Sequence, residues 1–230
     1  MPATIPLDAP KGSDYYAHSR DDLLDLLPRP IGRVLDLGCG AGGIAGPLRA
    51  AGASWISGIE LVAEAASAAE RVYDEVWAGD ALATLTKVSG TFDTILCHDV
   101  LEHLYDPLAL VRALIGVAAP GGCLHVSVPN ASHVSLLRDL LVGGTFGYQP
   151  AGHRDATHLR WFTRRDIMRL LEEGGWSARA ATPLGLQSRS RALHVLTRGR
   201  STEYLAAQWS VLAVNEDRRP VAPEPYPPGP

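Results

Sequence analysis

The sequence has few cysteines, no long run of basic residues and no long apolar run. Its three cysteines in 230 residues lie far apart, which argues against a disulfide framework and against a Cys-x-x-Cys metal site. A formal charge of -4 without a Lys/Arg cluster argues against broad binding to nucleic acid or to a membrane surface. No apolar run has the length of a membrane span and no basic-then-apolar leader begins the chain, so we expect a cytoplasmic protein.

What the sequence does contain suits one domain with a hydrophobic core. Hydrophobic residues make up 46% of the chain, and 230 residues leave little room for a second domain. We expect residues 1–218 to form a single domain, in which residues 131–162 are an inserted segment that shapes the substrate pocket. The proline-rich residues 219–230 are expected to be a disordered tail. Chemistry on a small molecule fits this composition better than binding to a polymer.

A glycine-rich turn follows the first predicted strand, Arg33 to Leu37. Gly38, Gly40 and Gly43 satisfy the pattern G-x-G-x-x-G, which also binds nucleotide phosphates at the start of a helix. Asp36 at the end of the strand distinguishes the two possibilities, because a carboxylate repels a phosphate but attracts an ammonium or a sulfonium group. The predicted ligand is therefore S-adenosylmethionine.

The segment V-L-D-L-G-C-G-A-G resembles the first motif of the class I S-adenosylmethionine-dependent methyltransferases. The resemblance implies an α/β fold with a doubly wound, seven-stranded, mostly parallel sheet and a last antiparallel strand. It also implies that Gly38, Cys39 and Gly40 contact the cofactor. We predict the last strand at Ala192 to Thr197, followed by a helix from Thr202 to Val214 whose apolar face packs on the domain or forms a homodimer.

Two further acids follow predicted strands at positions suited to the cofactor. Glu60 ends the second strand, about 20 residues past the glycines, where a carboxylate accepts hydrogen bonds from both ribose hydroxyls; otherwise it is a surface charge. Asp80 follows the third strand and either accepts a hydrogen bond from the adenine amine or caps the next helix. The other predicted cofactor contacts are Leu61, Ala81 and His98.

A group of polar residues follows the fourth predicted strand. Asp99, Glu102 and His103 are spaced to share one face of a helical turn, where they either bind a divalent ion or orient and deprotonate a nucleophile. The segment D-V-L-E-H resembles the E-x-x-E-H of ubiquinone-pathway O-methyltransferases and small-RNA 3′-terminal 2′-O-methyltransferases. The resemblance implies Mg²⁺ or another divalent ion, with His158 as the last ligand and the shorter Asp99 in place of the first Glu. In similar enzymes without metal, Glu102 and His103 cap the helix or brace the cofactor loop.

The inserted residues 131–162 are predicted to determine the substrate. Their run D-x-T-H-L-R-x-F-T resembles a pocket-closing loop of bacterial methyltransferases that modify glycans or sugars, which implies a sugar-like acceptor. His158 is the last metal ligand or the general base, and Arg154 pairs with an anionic group of the substrate or forms a salt bridge within the loop. His125, in the middle of the fifth strand, is expected to be structural. The predicted substrate contacts are Tyr16, His133, Arg154 and Asp155.

These patterns predict an enzyme that transfers a methyl group from S-adenosylmethionine to a hydroxyl oxygen of a small polar acceptor of sugar or glycan type. The predicted catalytic residues are Asp99, His103 and His158. Three alternatives stay open: methylation of an amine, methylation of an RNA terminus, which the acidic composition disfavours, and a non-catalytic module that binds the cofactor and regulates a partner.

Overall fold

One sheet of seven strands organises the described structure. The computed structural model describes residues 21–24, 26–186, 197 and 201–216. The strands are β1 (Gly32–Leu37), β2 (Ala53–Glu60), β3 (Glu75–Ala78), β4 (Phe92–His98), β5 (Ala118–Pro129), β6 (Ser177–Leu184) and β7 (Gln208–Val214). They lie in the order β3-β2-β1-β4-β5-β7-β6; β7 pairs antiparallel with β5 and β6, and the other neighbouring strands pair in parallel. The predicted fold class is confirmed.

Helices and short turns connect the strands. The α-helices are α1 (Asp21–Leu24), α2 (Ala45–Ala50), α3 (Ala63–Ala69), α4 (Ala81–Thr84), α5 (Pro107–Leu114), α6 (Val134–Leu141), α7 (Arg164–Glu173) and α8 (Thr202–Leu205). The 3-10 turns are Leu85–Lys87, Leu101–His103 and Ile115–Val117. Helix α7 begins with a capping box, in which the Thr163 and Asp166 side chains each accept a hydrogen bond from the other residue's backbone N–H. Local sequence signals therefore define where this helix begins.

The connectivity places a crevice at the carboxyl end of β1. From β1 the chain builds β2 and β3 on one side and then returns to add β4 on the other side. Because the connection after β1 runs to one side and the connection after β4 runs to the other, the loops that follow these two strands separate and leave room for a ligand. The residues predicted to bind the cofactor lie at or just after the ends of β1, β2, β3 and β4, and the inserted residues 131–162 follow β5, so both groups begin at this edge of the sheet.

The last part of the chain differs from the prediction. The helix predicted from Thr202 to Val214 is wrong: α8 ends at Leu205, and Gln208–Val214 forms β7. Pairing with β5 on one side and β6 on the other satisfies the backbone of β7 and buries Trp209, which is 3% exposed. The apolar helix face suggested for packing or dimerisation therefore does not form. The strand predicted at residues 192–197 falls outside the described residues except for Thr197, which lies in a turn.

Two hydrophobic clusters cover the two faces of the sheet. Side chains alternate along each strand, so Leu35 and Leu37 join one cluster while Val34 joins the other. Asp36 shares the face of Val34, and its surroundings include Cys39 and Tyr73 from that second cluster. All three cysteines are buried free thiols, as expected. Because of this alternation, the Asp36 carboxylate on β1 points into the apolar layer that the second cluster forms.

Candidate active site at the carboxyl ends of the strands

Asp36 is a buried acid in a largely apolar environment. Its side chain is 5% exposed, and the Tyr73 hydroxyl donates a 2.6 Å hydrogen bond to its Oδ2. Burial raises the pKa of Asp36 to about 7 and the nearby charge of Glu60 adds to this, while the hydrogen bond from Tyr73 opposes it. A cation beside Asp36 would favour the ionised carboxylate. The site therefore fits the predicted positively charged ligand.

The glycine turn lies against the loop that follows β4. Gly38 has a φ of +69°, and a Cβ atom there would lie 2.7 Å from Cγ2 of Val100. Only a residue without a side chain allows this approach in this conformation. Glu60 closes the same turn by accepting 2.9 Å hydrogen bonds from the backbone N–H groups of Gly40 and Val62. A carboxylate has about four acceptor positions, so these bonds are compatible with the predicted contact to ribose hydroxyls.

The remaining predicted cofactor contacts surround this turn. Asp80 is exposed and accepts a 2.9 Å hydrogen bond from the Ala83 N–H, so the helix-capping alternative is present. Ala81 is the first residue of α4, and Leu61 is 72% exposed directly after β2. Contact of these residues with an adenine ring stays a prediction.

Tyr73 was missed by the sequence analysis. It follows α3, and its ring passes over Gly58, which lies opposite Asp36 in the register of β1 and β2. A Cβ atom at Gly58 would lie 2.6 Å from the Cys39 sulfur and 2.8 Å from a Tyr73 ring carbon. The available signal was therefore a glycine within β2, which indicates close approach of another group.

Three of the four predicted metal ligands lie together. Glu102, His103 and His158 each offer a ligand atom, and these atoms lie within 4.8 Å of one another. The 3-10 turn Leu101–His103 supplies the first two residues, and the inserted segment supplies His158. The carbonyl of Glu102 accepts hydrogen bonds of 2.7 and 3.0 Å from the N–H groups of residues 159 and 160, which fixes the segment to the turn. The structure thus places His158, which the resemblance implied as the last ligand, beside Glu102 and His103.

The orientation of the His103 ring is defined by the inserted segment. His103 Nδ1 lies 3.2 Å from the Thr157 carbonyl, and because a carbonyl only accepts, Nδ1 carries the proton. The ring centres of His103 and His158 are 4.8 Å apart in an edge-to-face arrangement. Neutral His103 consequently has its lone pair on Nε2, the atom that can bind a metal or accept a proton.

Asp99 lies outside this group of three. It has a φ of +54°, and its Oδ1 accepts a 3.0 Å hydrogen bond from Gln208 Nε2. Its N–H donates to the carbonyl of Ser127 on β5. The left-handed backbone and the short side chain direct Asp99 toward β7, and the structure therefore does not support it as a ligand beside Glu102.

The predicted substrate residues of the insert are engaged within the insert. Arg154 forms a 3.0 Å salt bridge with Asp139, the loop-internal alternative. Asp155 is 4% exposed and accepts hydrogen bonds from the N–H and hydroxyl of Thr157. His133 accepts a hydrogen bond from the Ser135 N–H at the start of α6. These side chains stabilise the shape of the insert, and Tyr16 falls outside the described residues.

A chain of hydrogen bonds connects β4 with β7. His98 Nε2 lies 2.9 Å from His125 Nδ1, and His125 Nε2 lies 2.7 Å from the Ser210 hydroxyl. His125 and Ser210 are 0% and 1% exposed. The prediction that His125 is a satisfied core histidine is confirmed, and its partner is the residue predicted to contact the cofactor.

The sheet order and the acidic glycine turn define the class I fold of S-adenosylmethionine-dependent methyltransferases. The chain belongs to the family described as methyltransferase domain, whose match covers residues 11–181. A solved S-adenosylmethionine-dependent methyltransferase from Archaeoglobus fulgidus aligns with 88% of this chain and 97% of its own at 16% identity and a TM-score of 0.61. Magnesium protoporphyrin IX methyltransferase (ChlM) from Synechocystis with bound SAH aligns with 88% of this chain and 82% of its own at 22% identity and a TM-score of 0.56.

Curated relatives share part of the chain. A ubiquinone biosynthesis O-methyltransferase from Xanthomonas campestris is 35% identical over 109 residues, which is 44% of each protein. One from Burkholderia pseudomallei is 30% identical over 156 residues, or 64% of this chain and 65% of the relative. The matches thus span from under half to about two thirds of the relatives' lengths. Among the described residues, no helix is long and apolar enough to span a membrane.

Proposed function

We propose that this chain transfers a methyl group from S-adenosylmethionine to a hydroxyl oxygen of a small ring-bearing acceptor. The observation that carries the proposal is the cluster of Glu102, His103 and His158 next to the glycine turn that holds Asp36. The close approach of Gly38 to Val100, two residues before Glu102, brings these two groups together. A site that holds the positively charged methyl donor and a site that activates the hydroxyl are the two requirements of this reaction.

S-adenosylmethionine supplies a methyl group on a positively charged sulfur that leaves as a neutral thioether. Asp36 pairs with the positive charge of the ligand, and Glu60 accepts hydrogen bonds from its ribose while holding the turn closed. His103 uses Nε2 to take the proton of the acceptor hydroxyl, because its Nδ1 already donates to Thr157. The enzyme thereby holds the two reactants in line and removes the proton.

The cluster also fits a divalent metal ion. Two imidazoles and one carboxylate within 4.8 Å form a donor set that suits Zn²⁺, Mn²⁺ or Fe²⁺ better than Mg²⁺, which prefers oxygen ligands. With an ion bound, Glu102, His103 and His158 would be its ligands, His103 Nε2 would then not be the base, and the ion would lower the pKa of a coordinated hydroxyl. The magnesium expectation is therefore replaced by a proposal for one of these transition ions.

Two acceptor classes have separate support. The run that contains His158 and Trp161 supports a sugar or glycan hydroxyl by its resemblance to sugar-modifying enzymes. The names of the curated relatives support an oxygen of an intermediate in ubiquinone biosynthesis. Phe146 and Tyr148 lie 5.6 and 6.3 Å from the Trp161 ring, measured between ring centres, and both are partly exposed. Such an aromatic surface can stack on either kind of ring.

The test is a methyl-transfer assay with labelled cofactor against sugars, catechols, amines and an RNA 3′ end. We expect product with a hydroxyl acceptor, loss of product after chelation, and recovery with Mn²⁺ or Zn²⁺. Glu102→Gln and His158→Gln should lower kcat by at least about 100-fold, while Asp139→Asn, a matched change in the insert, should keep the chelator response. Activity that does not change when a chelator is added would rule out the proposed metal ion. Cofactor binding without any product would favour the regulatory module.

A further inference from the structure

The reversed strand β7 reaches both residues at the end of β4. Gln208 donates to Asp99, while Ser210 connects through His125 to His98. In the sheet register, Ser127 on β5 lies opposite both His98 and Ser210, so these side chains share one face. Asp36 lies on this same face, because it pairs with Leu96 across β1 and β4. A polar row therefore leads from β7 to the strand beside the buried acid.

The number of donors and acceptors determines which group donates in each hydrogen bond between Ser210, His125 and His98. Ser210 is 1% exposed, and among the described residues its hydroxyl has His125 as its hydrogen-bond partner. If His125 Nε2 carried the proton, the buried Ser210 hydroxyl hydrogen would lack an acceptor, which is unfavourable for a buried polar group. The favoured arrangement has Ser210 donating to Nε2 of His125. His125 then carries its proton on Nδ1 and donates it to Nε2 of His98.

This arrangement determines which ring nitrogen of His98, at the end of β4, carries the proton. With its Nε2 lone pair accepting from His125, neutral His98 must carry its proton on Nδ1. His98 is then a hydrogen-bond donor and is not the base of the reaction. A donor on the strand next to Asp36 complements a ligand that carries both a positive and a negative group. The amino-acid end of S-adenosylmethionine has this chemistry: an ammonium for Asp36 and a carboxylate for His98.

We infer that Ser210 and His125 are positioning residues that keep His98 as an Nδ1–H donor to the carboxylate of the bound cofactor. The inference rests on the proposed use of S-adenosylmethionine. It assigns a role in cofactor recognition to β7, the strand farthest from the glycine turn in sequence. It also leaves the cluster of Glu102, His103 and His158 to activate the acceptor hydroxyl.

The test compares the affinity of the protein for S-adenosylmethionine and for its decarboxylated analogue by calorimetry. Ser210→Ala should weaken binding of the complete cofactor by roughly 3- to 10-fold and leave binding of the analogue unchanged. Ser210→Thr, which keeps the hydroxyl, should restore the wild-type ratio. Equal losses for both ligands would show a merely structural role and overturn the inference.

A second measurement does not need the cofactor. Nitrogen-15 NMR of the free protein should show His98 protonated on Nδ1, with the His98→Gln variant used to assign the signal. In Ser210→Ala, the signal should shift toward a mixture of the two tautomers. A His98 protonated on Nε2 in the wild type would refute the inference even if the protein binds the cofactor. Failure to bind either ligand, with the Nδ1 tautomer present, would instead count against the proposed cofactor and against the assigned carboxylate contact.

Discussion

At the scale of single residues, Asp36 couples ligand binding to folding stability. Its folded-state pKa of about 7 lies above the value of 3.8 for a free side chain, so the folded protein holds a proton that the unfolded chain releases. The contribution of Asp36 to stability is therefore complete below about pH 4 and is lost as the pH rises to about 7. A site that binds a cation costs stability when no cation is present.

The first prediction follows from this sign. Asp36→Asn should raise the Tm of the free protein at pH 8 by several degrees, with little change near pH 4, because the amide cannot ionise. The same substitution should abolish measurable cofactor binding. Thermal unfolding at the two pH values and calorimetry check both parts. A lower Tm at pH 8 would contradict the assigned pKa, and unchanged cofactor affinity would contradict the assigned role.

The second prediction concerns Tyr73. Cofactor affinity should increase between pH 6 and pH 8 as Asp36 ionises. The hydrogen bond from Tyr73 lowers the pKa of Asp36, so Tyr73→Phe should raise this pKa and move the increase in affinity to higher pH. Calorimetric titrations across this range measure the shift. Tyr204→Phe is the matched control, since Tyr204 is 52% exposed. An identical pH dependence for both variants would show that the Tyr73 hydroxyl is irrelevant to binding.

At the scale of elements, the start of α6 depends on a neutral histidine. His133 stacks on His153 with ring centres 4.7 Å apart, and it accepts a hydrogen bond from the Ser135 N–H. Burial lowers the pKa of His133, and the charge of His153 adds to this. At this position the folded state thus binds fewer protons than the unfolded chain. The stabilisation that His133 provides is present above pH 6.5, the ordinary pKa of a histidine, and is lost as the pH falls below that value.

The third prediction is a local opening of this helix in acid. Amide hydrogen exchange in Val134–Leu141 should be faster at pH 5.5 than at pH 7.5, after correction for the intrinsic rates, while α7 stays protected. His133→Asn keeps a capping oxygen without a titratable ring and should remove the difference. Equal protection at both pH values in the wild type would show that His133 does not control the helix.

Elements with strong local signals were predictable, and β7 was not. The glycine turn, the proline at the start of α5 and the capping box of α7 are encoded in neighbouring residues. The segment Gln208–Val214 has an apolar pattern that fits either a helix or a strand, and its pairing with both β5 and β6 decides the outcome. Tertiary pairing of this kind cannot be read from a local window.

The same distinction applies to the site. Asp36 and the Glu102–His103 pair were proposed as site residues because short motifs contain them, and Glu60 because it ends the second predicted strand. Their partners lie far away in sequence: Tyr73 is 37 residues from Asp36, and Gln208 is 109 residues from Asp99. Such partners become visible only when the sheet brings the strands together. Asp80 illustrates the opposite case, because its helix-capping role is local and was anticipated.

At the scale of the whole molecule, the approach of Gly38 to Val100 joins the two halves of the site. The fourth prediction is that Gly38→Ala weakens cofactor binding roughly tenfold or more and also weakens metal binding, because the residue is strained at φ +69° and displaces Val100. Gly46→Ala is the control: it lies within α2 with nothing within 4 Å of the new methyl group, and it should slightly stabilise the fold. Metal binding unaffected by Gly38→Ala would show that the halves act independently.

The placement of β7 between β5 and β6 also limits where a shortened form of the protein can end and still fold. A fragment that stops at residue 181, where the family match ends, would end within β6 and would lack β7, the strand through which β6 attaches to the sheet. It would leave β5 with a bare, apolar edge ready to pair with other copies of itself. Expression of residues 11–181 should therefore give inclusion bodies, and supplying residues 201–216 in tandem behind a flexible tether should recover soluble material.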